Sequence, residues 1–486
     1  MKHFLVVVHA SKIQNYLAFT IQNLAQQEGS QVWLTIDSTS KPINPHKFSK
    51  LELFVTKKNP IFRKDALDEM DIDQIIKENK NVQWRNKSDT NKVDWIVLED
   101  STITISKYDE MTKNGFVALQ FSNHHVIQQA LKKSTLSITY LFKSFSELDW
   151  NSFHKQVAVE NGLKNNCDKI LWNFPVFLPS ILFQKFNIEQ SEGVFIEKKN
   201  RISTKIAILC NQFNLLVIII KRKIRAKQYN WKIAFEKEGK LIFLKQPPKS
   251  YWADPFFIER DGYKVIFFEE LDEHNKGRLV AATLNDHFEI IKKKIIIEEE
   301  FHLSFPNIFI ENQQLFMIPE SQASNKVLVY QCDVFPFQWS LKQTIVDNIR
   351  LIDVVWTKQA DTNWVFANKI EDFEYDNNER LNLYSTTDLI SGNWKSHPQN
   401  PIVCSKESAR NAGKIINDNG KLIRVGQNGK ITYGSNLVFN EIEILSSTVY
   451  KEKSFKKTDP KRPFYGQHTW NEAFDEYMVT DYLFKE

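Results

Sequence analysis

The chain has 486 residues, too long for one ordinary domain and suited to two or three. Its 42% hydrophobic content supplies sizeable cores, and a net charge of +5 on that length implies no nucleic-acid partner. The four cysteines (Cys167, Cys210, Cys332, Cys404) are scattered without metal-ligand spacing, which fits a reducing compartment and argues against a zinc site.

The first ten residues have an apolar core of only Phe4 to Val8, and polar Ser11 to Asn15 follow at once. This reads as a buried first strand rather than a signal peptide. No run approaches about 18 apolar residues, so no membrane span is expected and the protein is placed in the cytoplasm. Phe4–Val8, Gln31–Ile36, Trp95–Leu98 and Phe116–Phe121 read as strands, with helices over Ser11–Gln27 and Met70–Glu78. That alternation predicts an α/β domain over residues 1–195, a doubly wound parallel sheet with crossover helices. The loop His9-Ala-Ser-Lys-Ile13 lacks the glycines of a phosphate cradle, so no dinucleotide is expected there, nor any other cofactor in the chain.

Residues 196–228 form a join. Ile206, Leu209, Phe213, Leu216, Val217, Ile220 and Ile224 share one helical face, and Lys221 to Lys227 add a basic cluster. Such a helix packs between domains with its charges in water, or rests on an anionic membrane through 206–227.

From Tyr229 to the C-terminus the chain is β-rich, and the aromatic excess (36 Phe, 14 Tyr, 12 Trp) suits strands and the binding of sugar faces. A hairpin unit recurs at about 50-residue spacing, near residues 254, 305, 353, 412 and 468. Five repeats predict an all-β five-bladed propeller over 229–486, closed by pairing Tyr229–Phe235 with the C-terminal strand. Residues 371–379 and Lys451–Lys461 read as polar loops.

The pieces Trp252-Ala-Asp-Pro-Phe256, Phe267-Phe-Glu-Glu270, His302-Leu-Ser-Phe-Pro306, Met317-Ile-Pro-Glu-Ser321, Ala409-Arg-Asn-Ala-Gly-Lys414 and Gln467-His-Thr-Trp-Asn471 cover this half of the chain. They resemble the propeller at the N-terminus of plant glucosamine inositolphosphorylceramide transferases. They are also similar to bacterial propellers that follow a formyltransferase-like domain, and more distantly to five-bladed hydrolases acting on furanosides. The resemblance implies a formyltransferase-like fold for residues 1–195, but a degenerate one. The paired histidines of that family would fall on Gln120 and Phe121 and its acid on Asn123, and no Arg-Gly follows. Asn123, His124 and His125 mimic the motif only if the register slips.

The candidate chemistry lies in the propeller. Asp254, Glu320 and Asp353 come from three successive blades, and paired carboxyl groups are what glycosyl chemistry uses. Asp254 is assigned as base or nucleophile, Glu320 as second acid, and Asp353 as the group that orients them. Glu270, His302, Arg410, Gln427, His468 and Asn471 sit at equivalent strand ends as candidate substrate contacts. Arg410 suits a phosphate or an ion pair with Asp353 or Glu320. No metal is expected, because His302 and His468 match no metal motif. A glycosyltransferase or glycan-processing enzyme of cell-surface polysaccharide or glycolipid synthesis fits best, using a sugar or nucleotide sugar and a glycan or glycolipid acceptor. A glycan-binding propeller without turnover, a furanoside hydrolase and a sugar N-formyltransferase are the alternatives.

Overall fold

The computed structural model describes residues 2–37, 63–66, 68–85, 91–98, 108, 111–120, 129, 135–143, 151–158, 163–183 and 229–485, except for 28, 249, 431–432, 461 and 475. The linker 196–228 with its basic cluster, and Asn123, His124 and His125, lie outside these residues. The chain divides into two compact units, Met1–Ile224 with Asp372–Tyr375, and Arg225–Glu371 with Asp376–Glu486.

The first unit holds a seven-stranded sheet. Its order is Val82–Trp84, Ser30–Ile36, Lys2–Val8, Val93–Leu98, Thr112–Gln120, Thr135–Lys143 and Asn151–Ala158. The first five strands run parallel, and the last two pair antiparallel, so the expected all-parallel sheet is mixed. An apolar run such as Phe116–Leu119 is buried on both faces and carries no signal of strand direction. The first helix spans Asn15–Ala25 rather than starting at Ser11, because Lys12–Gln14 pairs with Glu69–Asp71 as a two-stranded ribbon. Asp71 then caps the helix Ile72–Glu78, accepting from Asp73 N at 3.0 Å. Among the described residues no helix is long and apolar enough to cross a membrane.

The second unit is a five-bladed propeller. Blades 1 to 3 begin with the inner strands Trp252–Arg260, Ser304–Glu311 and Leu351–Gln359. Blade 4 begins at Arg410–Asn411, and blade 5 joins Tyr229–Lys237 and Lys240–Phe243 to Phe464–Glu472 and Met478–Lys485. Tyr229–Lys237 pairs antiparallel with Met478–Lys485, so the N-terminal strand of the unit closes the ring as expected.

Alternation within one strand shows why the ring forms. In Val265-Ile-Phe-Phe268, Val265 and Phe267 pack with Leu303 and Ile308 of the blade 2 side, while Ile266 and Phe268 pack with Ile233 and Val479 of blade 5. Both faces of a middle strand are therefore covered by neighbouring blades, and a continuous apolar run replaces the usual polar alternation. Each buried Phe stabilises by about 2–3 kcal/mol.

Two loop assignments are corrected. Tyr450–Lys457 is the outermost strand of blade 4; an outer strand faces water, so its Lys and Glu pattern imitates a loop. In 371–379, Glu374, Asn377 and Glu379 are buried rather than exposed.

Candidate functional site

Three inner strands carry the same distortion. Asp254, Phe305 and Asp353 have φ of 52°, 47° and 49°, in the left-handed region that side chains other than Gly, Asn or Asp rarely adopt. Each sits in a β-bulge where two residues oppose one, between Ala253 and Phe256, Ser304 and Asn307, and Ile352 and Val355. A strained residue costs on the order of 1–3 kcal/mol, so surrounding packing must hold it. The bulges redirect side chains and amides toward shared partners. Phe305 N, turned by its own bulge, donates to Asp254 Oδ2 at 3.2 Å.

Asp254 belongs to a buried polar network. Its Oδ1 accepts from Thr469 Oγ1 at 2.9 Å and lies 3.4 Å from His468 Nε2. His468 Nδ1 lies 2.7 Å from Asp481 Oδ1. Asp481, fully buried, also accepts from the backbone N of His468, Thr469 and Asp254. Burial, reinforced by Glu269, Asp353 and Asp481, pushes the Asp254 carboxyl up to about 7 although His468 pulls the other way. For His468, burial disfavours the cation, but Asp481 and Asp254 outweigh it and raise the imidazole to about 9. Trp231 stacks on its ring at 3.9 Å.

Asp353 anchors the second half. Its Oδ2 accepts from Arg410 Nε at 2.6 Å and from Gln427 Nε2 at 3.3 Å. Arg410 Nη1 donates to Asn378 Oδ1 at 2.8 Å and lies 3.5 Å from Asp376 Oδ1. Arg410 Nη2 lies 3.6 Å from Glu320 Oε2, a buried oxygen without a hydrogen-bond partner. Burial and the neighbouring Asp353 hold the Glu320 carboxyl well above the usual range, against the pull of Arg410. Tyr433 spans the two halves: its ring meets the Arg410 guanidinium at 5.0 Å and His468 edge-on at 5.5 Å. It is 42% exposed, so it forms part of the solvent-facing wall.

The structure thus groups Asp254 with His468, and Glu320 with Asp353, Arg410 and Gln427, and Asp353 of the second half adds to the field at Asp254 and His468. Arg410 is engaged by acids on all sides rather than left open for a phosphate. His302 stands nearby: its Nδ1 accepts from Gly277 N at 2.9 Å and its Nε2 lies 3.1 Å from Glu269. Glu270 points to the opposite face of its strand, into a separate network with Trp252, Arg278 and Lys293. Asn471 braces three blades, donating to Pro255 O and accepting from Lys414 N.

Sequence reading missed Asp481, Thr469, Glu269, Asp376, Asn378 and Tyr433. Asp481 left one usable trace, an acid inside the apolar strand Met478–Lys485. Asp254, His468 and Asp481 offer ligand atoms within 4.8 Å of one another, the spacing of a metal set. Asp481, however, already accepts four hydrogen bonds, one of them from the imidazole, so protein donors satisfy this acid.

The family model described as glucosamine inositolphosphorylceramide transferase 1, N-terminal, matches residues 239–483. Glucosamine inositolphosphorylceramide transferase 1 of Arabidopsis thaliana is 31% identical over 230 residues, 46% of this chain and 29% of that protein. The protein of that name from Oryza sativa subsp. indica is 31% identical over 210 residues, 42% of this chain and 28% of that protein. The match therefore spans less than a third of the length of these curated relatives. Among solved structures, a family 117 glycoside hydrolase from Zobellia galactanivorans aligns at a TM-score of 0.36 and 11% identity, over 52% of this chain and 90% of that one. An α-L-arabinofuranosidase from Podospora anserina aligns at 0.35 and 8%, over 48% and 91%. With half of its length matched by that family model, the chain belongs to the family defined by the N-terminal region of glucosamine inositolphosphorylceramide transferase 1.

Proposed function

We propose that the axial carboxyl cluster of the propeller processes a glycosidic bond, transferring a glycosyl group in the assembly of a glycolipid or cell-surface glycan. The observation that carries this reading is the pair of raised carboxyl groups, Asp254 and Glu320, on adjacent blades. Glycosyl transfer needs one carboxyl that arrives protonated and one group that accepts a proton near neutral pH. Glu320 fits the first role, since burial and the neighbouring Asp353 keep its proton on. Asp254, near 7, fits the second and takes the proton of the attacking hydroxyl. The His468 imidazolium, oriented by Asp481, steadies the Asp254 carboxylate. Asp353 and Arg410 lock the geometry of the second half, and Tyr433 offers a ring face to the sugar.

The acid-rich lining favours a neutral or amine-bearing sugar at the cluster itself and disfavours a diphosphate there. The glycolipid context comes from the relatives, whose names specify a glucosamine inositolphosphorylceramide transferase. A panel of nucleotide sugars and glycosides, assayed by thermal stabilisation and by transfer to a glycolipid acceptor, tests the proposal. Turnover that vanishes in Asp254→Asn is the expected result.

One observation favours a second reading. The shared segment is the N-terminal region of the relatives and under a third of their length. The activity in their names need not reside in that segment, and a glycan-binding propeller satisfies the same geometry. Binding without turnover in the wild type decides for it. For the first unit we infer a formyltransferase-like scaffold without formyl transfer, supported by its parallel strands and the missing Arg-Gly. Turnover of a formyl-folate donor overturns that. A cytoplasmic setting, with 206–227 against an anionic membrane, completes the proposal and is tested by co-sedimentation with anionic vesicles.

A further inference from the structure

Blades 1, 4 and 5 line a cavity of about 380 Å³ whose walls include Phe257, Glu259, Lys414, Glu472 and Phe474. None of Asp254, Glu320 and Asp353 lines it. The volume suits a small ligand, for which sites run roughly 300–1,000 Å³. Phe257 and Phe474, with ring centroids 5.3 Å apart, make one side of it apolar.

The backbone is built to bring Lys414 to this wall. Gly413, at φ 148°, passes so close to the Trp470 carbonyl that a Cβ would lie 2.1 Å from its oxygen. Asn471 Oδ1 then accepts from Lys414 N at 2.8 Å. The Lys414 side chain is half-buried, and among the described residues its amine makes no hydrogen bond or ion pair. The centre of the Phe256 ring lies 5.9 Å from it. Burial brings this amine down to about 8, with Glu472 opposing the shift. Desolvation of this kind is one way a lysine becomes a nucleophile. About a tenth of such an amine is free base at pH 7, against less than about a thousandth for an ordinary lysine. The charges around it narrow the choice of electrophile. Glu259 and Glu472 are both exposed on the wall, so the protonated lysine leaves one net negative charge there. A bound anion deepens that charge, and an acyl group on the nitrogen removes the one cation. A protonated imine keeps the cation between the two carboxylates.

We propose that Lys414 is a Schiff-base site, and that the cavity takes a small uncharged aldehyde with an apolar or aromatic body. The free Lys414 Nζ attacks the carbonyl carbon, forming a C–N bond, and its surplus proton passes to the carbonyl oxygen to give a carbinolamine. A solvent proton relayed by Glu472 then lets the C–O bond break, and that oxygen leaves as water. A C=N bond remains, with the positive charge on nitrogen facing Glu259 and Glu472. The body of the aldehyde lies on Phe257 and Phe474. No oxidant or reductant is consumed, and the inference is independent of the chemistry at Asp254.

Borohydride trapping on the full chain tests it. The protein is incubated with benzaldehyde or 4-formylbenzoate, reduced, and its labelled lysines are located by peptide mass spectrometry. Near neutral pH, benzaldehyde is expected to label Lys414 at least about tenfold faster than exposed lysines, because far more of its amine is free. 4-Formylbenzoate brings an anion to the two acids, so its preference for Lys414 over the same exposed lysines is expected to be several-fold weaker. The Lys414 rate should rise as pH rises through 8 and then level off, since the free amine is the reactive form. Phe474→Ala, checked for a wild-type circular dichroism spectrum, is expected to slow labelling at Lys414 alone. Four results overturn the proposal: labelling of Lys414 no faster than that of exposed lysines, equal preference with 4-formylbenzoate, no rise around pH 8, or an unchanged rate in folded Phe474→Ala.

Discussion

Arg410 of blade 4 reaches blade 3 and places its Nε 2.6 Å from Asp353 Oδ2. The same guanidinium lies 3.6 Å from Glu320 and 3.5 Å from Asp376, so one cation holds together three acids from successive segments of the ring. Removing it leaves buried carboxyl groups without compensation. Arg410→Met is expected to lose about 3–5 kcal/mol of stability at neutral pH, as for other broken buried ion pairs. Without the arginine, which pulls the Glu320 carboxyl down, the folded-state pKa of Glu320 rises further. Groups raised in this way penalise the fold only above their unfolded pKa, near 4, and not below it. Urea denaturation should therefore show a larger deficit at pH 8 than at pH 4; an equal deficit at both would show that packing, not charge, is lost.

Asp254→Asn keeps the shape and removes the charge. Activity on a competent substrate is expected to fall by about 10²–10⁴-fold, the range for loss of a general base. The circular dichroism spectrum should stay that of the wild type. Full activity in a folded variant removes Asp254 from the mechanism.

His468 supplies the sharpest pH signature. Its imidazole is raised to about 9 from an ordinary 6.5, chiefly by Asp481 and Asp254 against the cost of burial. A histidine raised on folding contributes stability that is fully present below pH 6.5 and is lost as pH rises through 9. NMR titration should place the His468 ring near 9. In Asp481→Asn the value should drop toward or below 6.5, and a ring that still titrates near 9 would show that Asp481 is not what holds the cation.

Gly277 tests the frame around His302. A Cβ there would lie 2.7 Å from His302 Cε1 and 2.8 Å from Glu269 Oε1, and would strike the Leu303 carbonyl. Gly277→Ala is expected to destabilise by about 1–3 kcal/mol, the usual cost of overpacking. Its thermal midpoint should drop by several degrees; an unchanged midpoint would mean that the neighbouring strand yields freely.

The sequence by itself determined the ring and its count. Hairpins at a 50-residue period can bury their apolar middle strands only against one another, and Tyr229–Lys237 with Met478–Lys485 leaves no free edge. It also pointed to Asp254, Asp353 and Glu320, because an acid at the start or end of an apolar strand is a local anomaly. Residue type did not reveal which way neighbouring side chains face. Glu269 and Glu270 are chemically equivalent in the chain, yet strand alternation sends Glu269 toward His302 and Glu270 into the blade with Arg278 and Lys293. Bulges shift that alternation by one residue, so where Asp254 points was decided only by the distortion between Ala253 and Phe256. The partners that matter most are also far apart in sequence. Asp481 meets Asp254 across 227 residues, and Asp376 and Asn378 reach Arg410 from a segment whose polarity reads as a solvated loop. Those pairings depend on how the blades close around the axis, and no local pattern records it.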